Sequence, residues 1–308
     1  MPFTTTIPDG FPNLYDDQWR IEMQQLESRL APFVNAFPLN AEGKRFQRLP
    51  KVEARQITTR HGDTNPDDIG TEYRWLYPNF KDSAHILDEL EVKQLGSVGS
   101  PHEQILKLQL AAARRDQDAT LIAGIAGDVQ SGKTGATPIT FASECAIIEH
   151  DFVDSGTETP SGMTFSKLLE VSTRFGLADV AGQDVENEYA GCVVLTHRQI
   201  KDLLREEKLT SSDYGFQRLM TGQVVGFAGL AIKAVTPELL PFTAGLNYRS
   251  CYAFVREAVA FGKAMEPFAR VDVLPTKSHS VQLRSVWGWG CTRLDGDGVL
   301  EIRCVETT

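Results

Sequence analysis

The chain has no concentrated positive charge. Lysine and arginine total 31 against 41 aspartates and glutamates, which gives a net charge of −10 and a pI of about 5.2. The nearest approach to a basic cluster, "ARR" at Ala113–Arg115, is followed by Asp116 and Asp118. A protein that grips nucleic acid tightly presents a basic face to the phosphates. The sequence therefore argues against tight nucleic-acid binding, and the cluster is better interpreted as a solvated helix face.

Cysteine and histidine also lack the patterns of a disulfide framework, a metal site or a catalytic centre. The five cysteines are odd in number and widely spaced, without a C-x-x-C pair, which favours a reducing compartment. The histidines are scattered. The densest polar cluster, around His61 and Asp63, lies in turn-forming sequence where solvated side chains are normal. With no G-x-S-x-G motif present, we expect no metal, no cofactor and no enzymatic activity.

Targeting and membrane signals are missing as well. The first ten residues, "MPFTTTIPDG", lack the basic region and apolar core of a signal peptide. The most apolar stretch, Val224–Ile232, is too short and too rich in glycine to span a bilayer. We therefore expect no membrane association.

One motif points toward an enzyme. The stretch "GDVQSGKT" at Gly127–Thr134 matches G-x-x-x-x-G-K-[ST], the phosphate-binding loop of nucleotide hydrolases. In that loop the glycines admit a phosphate, the lysine reaches the outer phosphates and the hydroxyl holds magnesium. The corresponding nucleotide-binding residues would be Gly127, Gly132, Lys133 and Thr134.

The surroundings of this motif disagree with a phosphate-binding loop. A working loop joins a buried strand to a helix whose N-terminus faces the phosphate. Here a long helical pattern precedes the motif, while Gly135 and Pro138 follow it and would disrupt a helix. We interpret the match as accidental and keep a nucleotide hydrolase as an alternative function.

A long helix is predicted directly before this motif. Ser100, Pro101 and Glu103 provide an N-cap, a first-turn proline and a capping box. The apolar residues that follow at helical spacing are Ile105, Leu108, Ala112, Ala119 and Ile122. We predict a helix over 100–123 whose apolar stripe packs against its own subunit.

The charged residues of this helix are predicted to lie on its exposed face. They are Arg114, Arg115, Asp116 and Asp118. If the chain assembles with copies of itself, some of them should pair across subunits, and Arg115 is the candidate contact.

An aromatic strand is predicted near residue 75. In "TEYRWLY" the aromatic residues Tyr73, Trp75 and Tyr77 alternate with other side chains. With "KVEARQITTR" at 51–60 and the turn-forming residues between them, this strand predicts a long-tipped hairpin. A two-stranded hairpin alone is marginally stable. Its three aromatic residues therefore need a surface to cover, either in this chain or in a neighbour, and in the second case they are candidate intersubunit contacts.

The remaining segments indicate an α+β fold. A proline-rich arm over 1–50 carries one amphipathic helix, "DDQWRIEMQQLESRL". A short helix is capped by Thr164 and closed by Gly176. Thr196 and Gln199 form a capping box between a strand and a helix. "TGQVVGFAGLAIKAV" predicts paired strands with a glycine turn, "YRSCYAFVREAVAFG" predicts a helix, and strands return toward the C-terminus.

The order of these segments resembles a known family. A proline-rich arm, a long hairpin, one long helix, a mixed domain and returning strands are similar to the major capsid protein of tailed bacteriophages, with its Hong Kong 97-type shell fold. Three stretches resemble that family's sequences: the region from "YRWLYPNFKDSAHILDELEVKQLG" to "TLIAGIAG", then "VVLTHRQIKDLLREEKLTSSDYGFQRLMTG", and finally "VLPTKSHSVQLRSVWGWGCTRL". Together they span about residues 50–305.

This resemblance implies an assignment for each segment. The segments are an N-terminal arm (1–50), an extended hairpin loop over a neighbouring subunit (51–95), a peripheral domain with the long spine helix (96–163), a mostly axial domain (164–245) and a return to the peripheral domain (246–308). "GDVQSGKTG" would then be a glycine-rich turn after the spine helix.

The resemblance also implies the partners. Copies of the chain would form hexamers and pentamers of an icosahedral shell in the virion, assembled in the host cytoplasm. The short N-terminal segment implies a separate scaffolding protein, and a portal is implied as well. Packaged DNA would be enclosed without specific binding, which fits an acidic chain. Encapsulin compartments share this fold and remain a second alternative.

Overall fold

The computed structural model describes residues 24–52, 54, 56, 70–87, 102–154, 158–180, 191–205, 226–227, 229–277 and 279–306. The helices of this part of the chain are α1 (His102–Ala126), α2 (Phe141–Glu144), α3 (Phe165–Leu177) and α4 (His197–Arg205). Short 3₁₀ turns lie at Ala31–Phe33, Pro237–Leu239 and Arg256–Ala258. Residues 16–23 of the predicted arm helix and most of 51–60 lie outside the described residues. The described remainder of that predicted helix, residues 24–30, is not helical.

The strands, in chain order, are β1 (Asn35–Pro38), β2 (Lys44–Arg48), β3 (Glu72–Leu76), β4 (Asn79–Leu87), β5 (Val129–Ser131), β6 (Thr137–Ile139), β7 (Ala146–Ile148), β8 (Gly191–Thr196), β9 (Gly226–Phe227), β10 (Leu230–Val235), β11 (Phe242–Thr243), β12 (Tyr248–Val255), β13 (Val259–Leu274), β14 (Ser280–Arg293) and β15 (Val299–Val305).

These strands form three sheets. The spine sheet has the order β1–β13–β14–β4, with β1 parallel to β13 and the other pairs antiparallel. A small antiparallel sheet has the order β2–β3–β5–β6. The large sheet has the order β7–β15–β12–β8–β10–β9, with β11 paired to β12. The described chain therefore has the α+β architecture that the sequence predicts.

The main hydrophobic core joins the large sheet to the helices. Strand β8, with the sequence "GCVVLT", is buried along its whole length between β12 and β10. A strand buried on both faces is expected to be continuously apolar rather than alternating. Leu168, Val171 and Phe175 of α3 and Leu203 of α4 belong to the same buried cluster.

Several local signals are confirmed. Thr164 caps α3, since its side chain accepts a hydrogen bond from the Lys167 amide. The Gln199 side chain accepts from the Thr196 amide at 3.1 Å, as a capping box requires. Strands β9 and β10 pair around Gly229, whose φ is +78°. The end of α3 differs from the prediction, because Gly176 lies inside its last turn and the positive φ, +53°, falls at Asp179.

The predicted helix over 248–262 is wrong. This segment forms β12, a short 3₁₀ turn and the start of β13. Strand β12 pairs with β15 on one side and with β8 on the other. An apolar run buried on both faces has no period that separates helix from strand, and here the long-range pairing decides.

Helix α1 confirms the predicted long helix, but it buries a different face. It packs mainly on β14. The Gln109 side chain donates to the Leu283 carbonyl at 3.0 Å and accepts from the Ser285 hydroxyl. The Trp287 indole donates to Asp116 at 2.8 Å. The buried residues of the helix are Gln109, Ala111, Ala113, Gln117, Asp118, Leu121, Ile122 and Ile125.

Of the predicted apolar stripe, only Ile122 is buried. Ile105, Ala112 and Ala119 are partly exposed, and Leu108 is 37% exposed. The reason is that two partners cover α1, the spine sheet and the segment that begins at Gln25. Polar residues therefore face inward, where these partners satisfy them. A hydrophobicity pattern cannot identify a buried helix face that is polar.

The corrected helix face predicts the effect of enlarging two neighbouring alanines. Ala113 is fully buried in the main core, so Ala113→Leu should overpack that contact and lower the free energy of unfolding by about 1–3 kcal/mol. Ala112→Leu is the matched control, since Ala112 is partly exposed. Its effect should stay within about 0.5 kcal/mol. Thermal melts of the unassembled subunits test this, and an equal or larger loss for Ala112→Leu would place the wrong face against the sheet.

Candidate functional site

The three predicted contact aromatics lie on one face of the small sheet. Tyr73 and Trp75 are partly buried on β3, and Tyr77, just after the strand, is 45% exposed. Their strand pairs with β2 and, at Arg74, with β5. The predicted pairing with residues 51–60 is therefore wrong, because both edges of β3 are already occupied.

A second hairpin supports these aromatics. The Trp75 indole donates to the Gly132 carbonyl at 2.8 Å, and its ring stacks on Tyr77 with centroids 6.0 Å apart. Gly135, at φ +73°, fits beneath both rings, since a Cβ there would lie 2.6 Å from the Tyr77 hydroxyl oxygen. The subunit thus holds the aromatic side chains in place while leaving part of their surface uncovered.

The other face of β3 is buried within the subunit. Arg74 and Leu76 are 2% and 1% exposed. Leu76 packs so closely on β13 that a Cβ at Gly262 would lie 2.3 Å from its methyl group. On the aromatic face, the Arg45 guanidinium lies 4.6 Å from the centroid of the Tyr73 ring, within cation–π range. The alternation of β3 therefore separates a face for the core from a face for contacts.

A charge cluster fixes the base of this strand. Arg74 is ion-paired with Glu144 of α2, and its guanidinium lies 3.4 Å from Glu72. Arg48 lies 2.9 Å from Asp295 and 3.6 Å from Glu144. The "DGDG" turn that contains Asp295 packs on Glu144, since a Cβ at Gly296 would lie 2.1 Å from the Glu144 side chain. This cluster joins the small sheet to the C-terminal strands.

The phosphate-loop motif forms a hairpin. Gly127 and Asp128 follow α1, β5 holds Val129–Ser131, and Gly132–Thr134 form the turn before β6. A helix thus precedes the motif and a strand follows it, the reverse of a phosphate-binding loop. Gly132, at φ +86°, allows the hairpin to turn. The hairpin turn and the hydrogen bond that the Gly132 carbonyl accepts from Trp75 explain the glycine at position 132.

Asp118 holds the end of the N-terminal segment. Its carboxylate is fully buried in α1 and accepts hydrogen bonds from the Gln25 and Ser28 side chains. It also accepts from the backbone amides of Arg29, at 3.0 Å, and Leu30, at 3.2 Å. The predicted exposure of Asp118 is therefore wrong. No signal in the sequence reveals this role, because its partners lie about ninety residues away.

The neighbouring charges of α1 behave differently. Arg115 is exposed, as predicted, and its guanidinium contacts Gln24. Arg114 is partly exposed and lies 3.2 Å from Gln117. Asp116 binds Lys81 and Trp287 and is partly buried. Arg115 thus remains available as the predicted intersubunit contact, at the point where the N-terminal segment leaves α1.

A buried lysine was also missed by the sequence analysis. Lys167 is fully buried in the first turn of α3. Its ammonium lies 3.0 Å from each of four backbone carbonyl oxygens, those of His150, Ser161, Gly162 and Arg303. Burial lowers the pKa of Lys167 from its ordinary value. The side chain joins α3, the preceding loop and β15.

Within the described residues, no group of three or more histidine, cysteine, aspartate or glutamate side chains could hold a metal ion. No described helix is long and apolar enough to cross a membrane.

Comparison with known proteins decides among the interpretations. A family model described as phage capsid protein matches residues 7–306. The chain belongs to the phage capsid protein family. No curated protein matches this capsid protein.

Solved structures agree with the family. The capsid of Helicobacter pylori bacteriophage KHP30 matches with a TM-score of 0.71 and 10% identity, covering 99% of this chain and 98% of that chain. A chain of Mycobacterium phage Che8 matches at 0.67 and 16% identity, covering 96% and 98%. A chain of the cyanophage Pam1 capsid matches at 0.67 and 12% identity, covering 99% of each chain.

The Hong Kong 97-type fold is therefore confirmed, and the family makes this chain a major capsid protein that builds the virion shell of a bacteriophage. Neither alternative, the encapsulin compartment or the nucleotide hydrolase, is favoured by these findings.

The Asp118 anchor predicts a stability difference within α1. Asp118→Ala leaves buried donors at Arg29 and Leu30 without an acceptor, so the free energy of unfolding should fall by about 3 kcal/mol. Trypsin should then cleave after Arg29. Asp118→Asn retains one acceptor oxygen and should be intermediate. Arg115→Ala, the exposed control, should change stability by less than about 0.5 kcal/mol. Equal losses for Asp118→Ala and Arg115→Ala in urea titrations would contradict the anchor.

The aromatic face predicts a defect specific to assembly. Because Trp75 is only partly buried in the subunit, Trp75→Ala should lower subunit stability by about 1–2 kcal/mol and strongly reduce shell formation. The control Leu177→Ala removes a more exposed apolar side chain, one that is 83% exposed, and should assemble normally. Sedimentation of both variants measures assembly. Normal shells from Trp75→Ala would remove these aromatics from the intersubunit contact.

Proposed function

We propose that this capsid protein is a non-enzymatic shell subunit that assembles as hexamers and pentamers around phage DNA. The observation that carries this proposal is the family match over residues 7–306. Partly uncovered aromatics on a rigid sheet support it, since an assembling subunit gains burial from its neighbours.

Each segment of the chain has a proposed role in the shell subunit. Residues 1–50 form the arm, 51–95 the extended loop, 96–163 and 246–308 the peripheral domain, and 164–245 most of the axial domain. Asp118 supports the arm assignment, because it fixes where that segment leaves α1. The large sheet combines β8 and β10 with β12 and β15. We therefore propose that the axial and peripheral domains share a sheet and move as one body.

The proposed partners follow from the same function. A scaffolding protein and a portal would guide assembly in the host cytoplasm. DNA would be enclosed without specific binding, and the net charge of −10 supports this, because an acidic surface repels phosphates. The intersubunit contacts would include Tyr73, Trp75, Tyr77 and Arg115.

Electron microscopy of the purified protein tests the proposal directly. Closed icosahedral particles are expected, alone or with the scaffolding protein. A folded monomer that forms no particles under any of these conditions would reject the shell function. Nucleic acid inside particles purified from infected cells would support DNA packaging, and a protein cargo would instead favour an encapsulin compartment.

A nucleotide-binding measurement tests the alternative enzyme. Because Lys133 and Thr134 lie in a hairpin turn, ATP and GTP with magnesium should not bind in the micromolar range. The heat measured when nucleotide is titrated into Lys133→Ala should equal that measured for the wild type. Binding that this substitution abolishes would restore the hydrolase.

A further inference from the structure

Among the described strands, none pairs with the outer edge of the distal half of β13. Strand β1 pairs only with residues 260–263 of β13, and Leu39 adds one hydrogen bond at Lys263. Beyond Lys263 the strand pairs with β14 on one side, with shifts in register up to Phe268 and regular pairing from Phe268 to Leu274. No described strand lies on its other side. A long unpaired edge is a template for another strand, and soluble proteins usually protect such edges.

This edge is unusually apolar. Phe268, Val271 and Val273 are 55%, 57% and 56% exposed. Val271 lies opposite Leu283 of β14, which α1 covers, yet Val271 itself stays exposed while Leu283 is fully buried. Exposed apolar residues on both faces of a free edge mark a protein contact or an aggregation site. In a protein that builds a shell from copies of itself, a contact is the better explanation.

The charges of the edge identify the partner. Arg270 lies opposite Arg284, and Arg284 is ion-paired with Asp82 at 2.9 Å. Within the described residues, neither Arg270 nor Asp272 has an ion-pair partner. Arg270 and Asp272 lie two residues apart, on the same face of the strand. The Arg270 guanidinium lies 5.4 Å from the centroid of the Phe268 ring, but no described carboxylate or cation balances the charge of either residue.

The sequence "FARVDVL" at 268–274 complements itself. If two copies pair antiparallel with Val271 opposite Val271, Arg270 of each copy faces Asp272 of the other. Ala269 then faces Val273, and Phe268 faces Leu274. Opposite charges directly across an antiparallel pair stabilise it. The prolines at 267 and 275 have no N–H to donate, so they limit the pairing to this segment.

We propose that the β13 edges of two subunits pair in this way across a two-fold axis and join their spine sheets. The axis is perpendicular to the joined sheet, so both α1 helices lie on the same face of that sheet. A closed shell requires this, because neighbouring subunits must present the same face outward. The contact is isologous, as a two-fold interface must be. The partner is a second copy of this chain, and the inference rests on the proposed shell function.

Cysteine substitution tests the register. In the proposed pair, residue 271 faces its own copy with Cβ atoms about 5 Å apart. The two copies of residue 273 are roughly 13 Å apart, four residues along the strand. Particles of Val271→Cys should therefore form disulfide-linked dimers on mild oxidation, and particles of Val273→Cys should not. The two positions are equally exposed and share one face, so they are matched.

The native cysteines should not form disulfides in this experiment. Cys145, Cys192, Cys251 and Cys304 are buried, and Cys291 is half-buried. Burial raises the pKa of Cys145 to about 11 and the pKa values of Cys192 and Cys291 to about 12. Few of these thiols form the reactive thiolate at pH 8. The subunits of oxidised wild-type particles should therefore migrate as monomers on a non-reducing gel.

Charge reversal provides an independent test. Arg270→Asp alone places like charges opposite each other twice and should reduce the yield of particles several-fold. Adding Asp272→Arg restores opposite charges in the same register and should restore the yield. Circular dichroism of each variant confirms that the subunit is folded, so an assembly defect is not confused with unfolding.

The outcomes separate this contact from the shell function. If the wild type forms no particles, the shell function itself is rejected. If particles form but the 271 and 273 variants crosslink equally, or neither crosslinks, the self-pairing of β13 is overturned. Failure of the double charge reversal to recover assembly would also overturn it. Crosslinking at 271 alone, together with recovery by the double variant, establishes the contact.

Discussion

The contact between helix α1 and strand β14 is the constraint on which the rest of the structure depends. It is polar as well as apolar: Gln109 binds the Leu283 carbonyl and the Ser285 hydroxyl, and Asp116 accepts from Trp287. These bonds fix the helix along the central strand and in rotation. At Gly124 the approach is so close that a Cβ would lie 2.4 Å from the Cys291 side chain. With α1 fixed, Asp118 can hold the N-terminal segment on the helix's other side.

Buried cations satisfy the irregular parts of this fold. Lys167 binds four backbone carbonyls where a loop, a helix and a strand meet. Arg293 is fully buried and donates to the Ile125 and Gly127 carbonyls at the end of α1, where a helix leaves its last carbonyls without partners. In each case a positive side chain supplies donors that no regular element provides. These contacts explain why positively charged side chains are buried in the interior of an acidic protein.

Sequence reasoning succeeds here where the signal is local. The Thr164 cap and the Thr196–Gln199 capping box depend on residues three apart, and the structure contains both. Ser100 and Pro101, the predicted start of α1, lie outside the described residues. The turn character of the phosphate-loop match also follows locally, from Gly135 and Pro138. The aromatic residues of β3 were found because a strand alternates with a period of two.

The errors concern long-range partners. The pairing of β3 with β2, the burial of Asp118 by Ser28 and Arg29, and the almost entirely buried β12 each depend on segments far away in the chain. A buried carboxylate or lysine looks like a surface residue until its partners are known. The contact aromatics could therefore be proposed from the sequence, whereas the residues that hold them in place, Gly132 and Glu144, could not.

The hairpin of β13 and β14 has a mechanical consequence. Beyond Lys263 it continues to Leu274, a ribbon of roughly 35 Å at the usual rise per residue of a strand. Helix α1 packs on β14 and strand β4 pairs along it, so the ribbon acts as a stiff lever. A rotation of about 10° at its base would move its tip by roughly 6 Å over that length. The curvature of a lattice built from such subunits is then set at the base of the ribbon, where Leu76 packs over Gly262, and a small change in packing there is magnified at the tip.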